Sequence, residues 1–198
     1  MSINAQQVKE LRDKSGVGMM DCKKALIESN GDIDQAFDIL RKSGIAKAKK
    51  KSGRDAKEGL VFSYIHPGAK LGVMLELNCE TDFVANTKDF NDLAKEISMH
   101  IAATAPISVT VDDVSDELVS KEKEIFLDQA RKSGKPDNII EKMVEGRIKK
   151  FYQENVLLEQ NFVKDPSKTI KGLVAEKVGV LGENILISRF SRFQIGEK

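Results

Sequence analysis

The sequence predicts an α+β protein, and three observations carry the prediction. Apolar residues recur at helical spacing through roughly the first 45 positions, the spacing changes to strand alternation at Leu60, and helical stripes return from Phe90 before a last strand pattern near the C-terminus. At 198 residues the chain has room for one medium domain, or for a small domain followed by a larger one.

The first helical stretch carries Val8 and Leu11, the second Met20, Ala25 and Leu26, and the third Ile33, Ala36, Phe37 and Leu40. Gly16 and Gly18 interrupt after the first. In "SNGD", Gly31 is read as a stop and Asp32 as the next N-cap, and Gly44 is read as the end of the third helix. These helices predict a bundle over residues 1–45 that is marginal by itself. A basic helical segment over 46–58 follows, and then an α+β core over 59–198.

In the core, "LVFSYIH" and "LGVMLELN" alternate as strands, and Pro67-Gly68 suits the centre of a type II turn between them. Val73, Leu75 and Leu77 share one face of the second strand; Met74, Glu76 and Asn78 share the other. Phe90, Leu93, Ala94, Ile97 and Ile101 make a helical stripe capped by Asn86 or Thr87. Two charged helical patterns, about Asp116 to Lys132 and from about Asp137, predict a helical hairpin within about 115–155, broken at "GKP". The tail "DPSKTIKGLVAEKVGVLG" is read as a capped helix and "ENILISRFSRFQIG" as a final strand that is not fully buried.

Composition narrows the function. A hydrophobic fraction of 40%, a charged fraction of 32% and a net charge of +1 give no global bias toward nucleic acid or membrane. No apolar run approaches the roughly 20 residues of a membrane span and no leader pattern opens the chain, so a cytoplasmic protein is expected. Cys22 and Cys79 lack C-x-x-C spacing, and His66 and His100 have no Cys or second His at ligand spacing. Both thiols are therefore read as small buried residues, and neither a metal nor a cofactor is expected. Phosphate-loop, dinucleotide and nucleophile motifs are missing, which argues against an enzyme.

The strongest local charge lies in "RKSGIAKAKKKSGRDAKEG", where Arg41, Lys42, Lys47, Lys49, Lys50, Lys51, Arg54 and Lys57 meet the single acid Asp55 before Glu58. It suits either a solvated helical linker or a phosphate-contacting patch, and it lacks the interleaved aromatics of the latter. The stretch "ELNCETDFVANTKDF" joins a strand to a helix start and puts Asp82 beside Phe83 at the joint. On the residues alone, a core phenylalanine beside a solvated turn acid is the commoner arrangement.

Two stretches point further. "LRDKSGVGMMDCKKAL" and "ELNCETDFVAN" resemble the two signature motifs of the elongation factor Ts family, and "GKPDNIIEKMVEGRIKKF" and "ISRFSRFQIGE" extend the resemblance over essentially the whole chain. Ser15 stands where the family usually has Thr. The resemblance implies a guanine-nucleotide exchange factor, acting by binding, for the translational GTPase elongation factor Tu in its GDP-bound and nucleotide-free states. It also implies an N-terminal bundle of ubiquitin-associated type, a core of antiparallel sheet packed with helices, and a homodimer. Thr81, Asp82, Phe83 and Val84 would dislodge the partner's Mg²⁺, Phe83 as an apolar wedge. Met19 and Met20 would hold the GTPase from the bundle, or else fill the bundle's core. The competing expectation is a non-exchanging module that binds RNA or protein through the bundle and basic segment. Direct nucleic-acid binding is not expected on the exchange reading.

Overall fold

The computed structural model describes residues 3–132 and 134–197. The protein is α+β, as the change of period predicts. Its helices are α1 (Ala5–Ser15), α2 (Met19–Glu28), α3 (Ile33–Lys51), α4 (Asp82–Ala85), α5 (Lys88–Thr104), α6 (Asp116–Arg131), α7 (Asp137–Asn155) and α8 (Ile170–Leu181). Strands β1 (Glu58–Ile65), β2 (Leu71–Cys79) and β5 (Leu186–Gln194) form one sheet in the order β1-β2-β5, and β3 (Asn161–Phe162) pairs antiparallel with β4 (Asp165–Thr169). The chain folds as two compact units. The first holds the residues up to Phe62, Glu76–Lys95 and Gly172–Ile187; the second holds Ser63–Leu75, Glu96–Lys171 and the residues from Ser188 onward.

In the first unit, α1 opens on a capping box: the Gln7 N–H donates to Asn4 Oδ1 at 2.7 Å and the Asn4 N–H to Gln7 Oε1 at 3.2 Å. Asp32 caps α3 as expected, accepting from the Gln35 N–H at 2.9 Å. Val8, Leu11, Cys22, Ala25, Leu26, Ala36 and Leu40 form the buried core of this bundle. Gly44, however, is not a helix end. It is buried, and α3 runs past it to Lys51. The reason is tertiary: a Cβ on Gly179 of α8 would lie 2.9 Å from Gly44 Cα, so the glycine pair lets two helix backbones approach where side chains would hold them apart.

The continuation of α3 also finds partners for the basic segment. Lys47 pairs with Asp21 at 2.7 Å, Arg41 with Glu176 at 3.3 Å and Arg54 with Glu80 at 3.5 Å, while Lys51 Nζ donates to the Gly182 carbonyl. Each exposed pair contributes at most about 1 kcal/mol. Together they make the segment part of the fold's internal bracing.

In the second unit, the Ala69 N–H donates to the His66 carbonyl at 2.9 Å and Gly68 has φ +93°, the backbone a type II turn demands at its third residue. Helices α6 and α7 pack on one another as the predicted hairpin, with the Arg147 guanidinium over the Phe126 ring at 5.7 Å. The tail departs from its reading: Asp165–Thr169 is strand β4, and α8 starts only at Ile170. Pro166 disfavours helix at Asp165, and the Asp165 carboxylate folds the chain by accepting from Ser167 N–H (3.2 Å) and Oγ–H (2.6 Å). The strand alternation of β2 and the helical stripe of α5 both hold: Val73, Leu75, Leu77 and Cys79 are buried, and so are Phe90, Leu93, Ala94, Ile97 and Ile101. Thr87 supplies the cap, accepting from the Phe90 N–H at 3.3 Å.

His100 is fully buried in this unit. Its Nδ1 accepts from the Val163 N–H at 3.3 Å, so the proton sits on Nε2, which donates to Gln160 Oε1 at 2.9 Å. Burial pushes its pKa below the ordinary 6.5, opposed in part by the bond to Gln160. The unfolded chain therefore takes up a proton at a higher pH than the folded one. This contribution to stability is complete above about pH 6.5 and is lost as the pH falls from there toward the depressed folded value. In thermal melts from pH 7.5 to pH 5, the midpoint is expected to fall by about 2–4 °C for each kcal/mol withdrawn, and His100→Gln should remove that slope. An unchanged slope in the variant would assign it to other groups.

Candidate functional site

The joint between β2 and α5 is a single turn of helix, α4, held by polar bonds at both ends. Thr81 is its N-cap, with Oγ1 accepting from the Val84 N–H at 3.4 Å. The Asn86 side chain closes the other end on the Asp82 carbonyl at 2.9 Å, and Thr87 Oγ1 donates to the Val84 carbonyl at 2.8 Å. Ala85 is buried and Val84 half-buried, which pins the inner side. Phe83 faces outward, 81% exposed, with Asp82 exposed beside it. The aromatic that composition would place in a core is thus a surface residue on a fixed base.

That base includes residues the sequence reading did not single out. Glu183, just past the end of α8, receives three donors from the turn: the Glu80 N–H (3.1 Å) and Thr81 N–H (3.0 Å) on Oε2, and the Thr81 hydroxyl (2.6 Å) on Oε1. Glu80 returns the interaction, accepting the Asn184 N–H at 2.7 Å, and the Asn184 side chain donates to the Arg54 carbonyl at 2.8 Å. The Asn184 N–H, assisted by the Arg54 guanidinium, holds the Glu80 carboxyl below the ordinary carboxylate range. Its contribution is therefore present at neutral pH and is lost as the pH falls from the ordinary carboxylate range through that lowered value. Burial and the Glu183 charge push the Cys79 thiol up, so it remains protonated and donates to the Thr81 carbonyl at 3.1 Å.

Met19 and Met20 open α2 and are 44% and 67% exposed, outside the bundle core. Ile27, two turns from Met20, is exposed on the same side of the helix. Both methionines belong to the same unit as the turn. Among the described residues no group of His, Cys, Asp and Glu is placed to hold a metal ion, and no helix is long and apolar enough to cross a membrane.

Thr81 could have been read as a cap from its position before Asp82, because a hydroxyl followed by an acid in the first turn is a helix-start pattern. Glu183 had no such signal. It meets Thr81 across 102 positions of sequence.

Comparison with known proteins agrees with the motifs. Residues 29–197 match the family model described as elongation factor TS. A curated protein of Caldanaerobacter subterraneus subsp. tengcongensis named elongation factor Ts is 58% identical over 195 residues, covering 98% of each chain. One of Fervidobacterium nodosum with the same name is 56% identical over 197 residues, covering 100% of each, and one of Syntrophobacter fumaroxidans is 50% identical over 198 residues.

Proposed function

The chain belongs to the elongation factor Ts family, the translation elongation factors of that name, and on that premise we propose that it acts as the guanine-nucleotide exchange factor of elongation factor Tu. The observation that carries this reading is Phe83, an exposed ring on a turn whose backbone is fixed from both sides. A GDP-bound GTPase holds its nucleotide through phosphate donors and a Mg²⁺ that demands near-ideal octahedral geometry. An apolar ring driven in beside that ion, with Asp82 engaging nearby polar groups or the ion's water shell, displaces a ligand and weakens the grip on GDP. Thr81 and Val84 hold the two in place, and Met19 and Met20 supply an adaptable apolar contact from the bundle, which we read as a ubiquitin-associated-like module.

No proton transfer is needed. The factor and GDP are two ligands that weaken each other by the same ratio, so the factor leaves when nucleotide rebinds. In stopped-flow mixing at fixed Mg²⁺, the protein is expected to accelerate release of a fluorescent GDP from elongation factor Tu by orders of magnitude. A folded protein that leaves the release rate of a matched GTPase unchanged would sink the reading.

We further propose that it works in the cytoplasm as a homodimer bound to two GTPase molecules. In support, Ile65, Met74, Phe193 and Ile195 stand exposed around an apolar groove of about 700 Å³ in the second unit. Sedimentation equilibrium is expected to give twice the 22.0 kDa chain mass, and Phe193→Asp to return the single-chain mass. A wild type of single-chain mass at tens of micromolar rules the dimer out.

A further inference from the structure

We propose that Glu183 is the positioning residue of the exchange turn, holding Thr81 to Val84 in the one arrangement that presents Phe83; this rests on the exchange reading above. A helix of four residues has no stability of its own, because nucleation fixes several residues for a single hydrogen bond. The turn must therefore be held from outside. Its N-terminal end is held by one carboxylate, which takes two backbone N–H groups and a hydroxyl at 2.6–3.1 Å. Bonds to a charged acceptor are about twice as strong as neutral ones.

The two acids exchange partners: Glu183 binds the backbone of the segment that carries Glu80, and Glu80 binds the backbone next to Glu183. A slip of either segment breaks bonds at both. Lys51 and Arg54 tether the arrangement to the end of α3 through the Gly182 carbonyl and the Glu80 carboxylate. Without the Glu183 carboxylate, the Glu80 and Thr81 amides lose their acceptor, and the Thr81 hydroxyl, which caps α4, loses the partner that aims it. The turn then samples other conformations, and the fraction that can deliver Phe83 falls. Apparent activity falls by that same fraction.

The geometry separates this role from a contact with the partner protein. Glutamine at 183 keeps a carbonyl oxygen for the two amides and turns an N–H toward Thr81 Oγ1, which has a lone pair free for it. Glu183→Gln should therefore keep the turn, whereas Glu183→Asp withdraws the charge by one methylene and Glu183→Ala removes it.

The test combines amide hydrogen exchange on the full chain with GDP release from elongation factor Tu. Protection of the Glu80 and Thr81 amides and acceleration of release are both expected to fall by about tenfold in Glu183→Ala and Glu183→Asp and to return to within about threefold in Glu183→Gln. In a Phe83→Ala background, Glu183→Ala should cost less than about twofold further, since two residues acting through one element do not add. An accelerating wild type whose Glu183→Ala and Glu183→Asp variants accelerate equally overturns the positioning role alone. So does a loss that is the same with and without Phe83. A wild type that does not accelerate release overturns the exchange reading and the role with it. Should the alanine variant fail to fold, the aspartate and glutamine pair carries the same comparison.

Discussion

Phe83→Ala is expected to fold and melt as the wild type does, yet to lose about 30- to 1,000-fold of its acceleration of GDP release, the range spanned by a buried aromatic anchor of about 2–4 kcal/mol. The two halves of this expectation come from the same number. At 81% exposure the ring packs against little in its own chain, so removing it opens no cavity, and alanine is the better helix former in α4. The loss falls instead where the ring would be buried, in the partner. If the wedge works by loosening Mg²⁺, the advantage of wild type over variant should shrink when a chelator strips the ion first. A variant as active as the wild type would show that the ring is not the wedge.

Gly59→Ala has the opposite signature, a large loss of stability from one methyl group. Gly59 sits near the start of β1 with φ +145°, and a Cβ there would lie 2.2 Å from the Leu77 carbonyl oxygen and 2.7 Å from Asn78 Cα. Both obstacles are backbone, so no rotamer change relieves them. The strained dihedral and the forced separation of β1 from β2 together should cost about 3–5 kcal/mol. A chain of this size should then melt about 6–20 °C lower. Gly53→Ala, where a Cβ would meet nothing within 4 Å, is the control and should change the midpoint by about 2 °C or less. Equal midpoints for the two variants would mean that β1 can move away from β2 at little cost.

The elements legible in the sequence are those whose reasons are local. Asp32 caps its own helix, Pro67-Gly68 makes its own turn, and the alternation of Val73, Leu75 and Leu77 needs only a buried face. What misled was remote. Gly44 has the look of a helix end, and only the approach of Gly179, 135 positions on, explains a glycine inside a continuing helix. Strand β4 was hidden because its pairing with Asn161 and Phe162 outweighs a sequence that also suits a helix start. At the candidate site, the motif resemblance points to Thr81 through Val84, while the residues alone favour a buried Phe83. The carboxylate that holds the turn was invisible from both directions, since an acid after a helix has many uses and no periodicity links it to Thr81.

The division into two units has a consequence for how the protein can be cut, inherited or rebuilt. Each unit is assembled from three separate stretches of chain, so the backbone passes between them at five junctions, after Phe62, Leu75, Lys95, Lys171 and Ile187. No single protease nick yields two self-sufficient fragments. No truncation from either terminus removes one unit and leaves the other whole. Recombination would need a breakpoint at every one of the five junctions to exchange a complete unit, so the two units are expected to pass between lineages together, as one indivisible cassette.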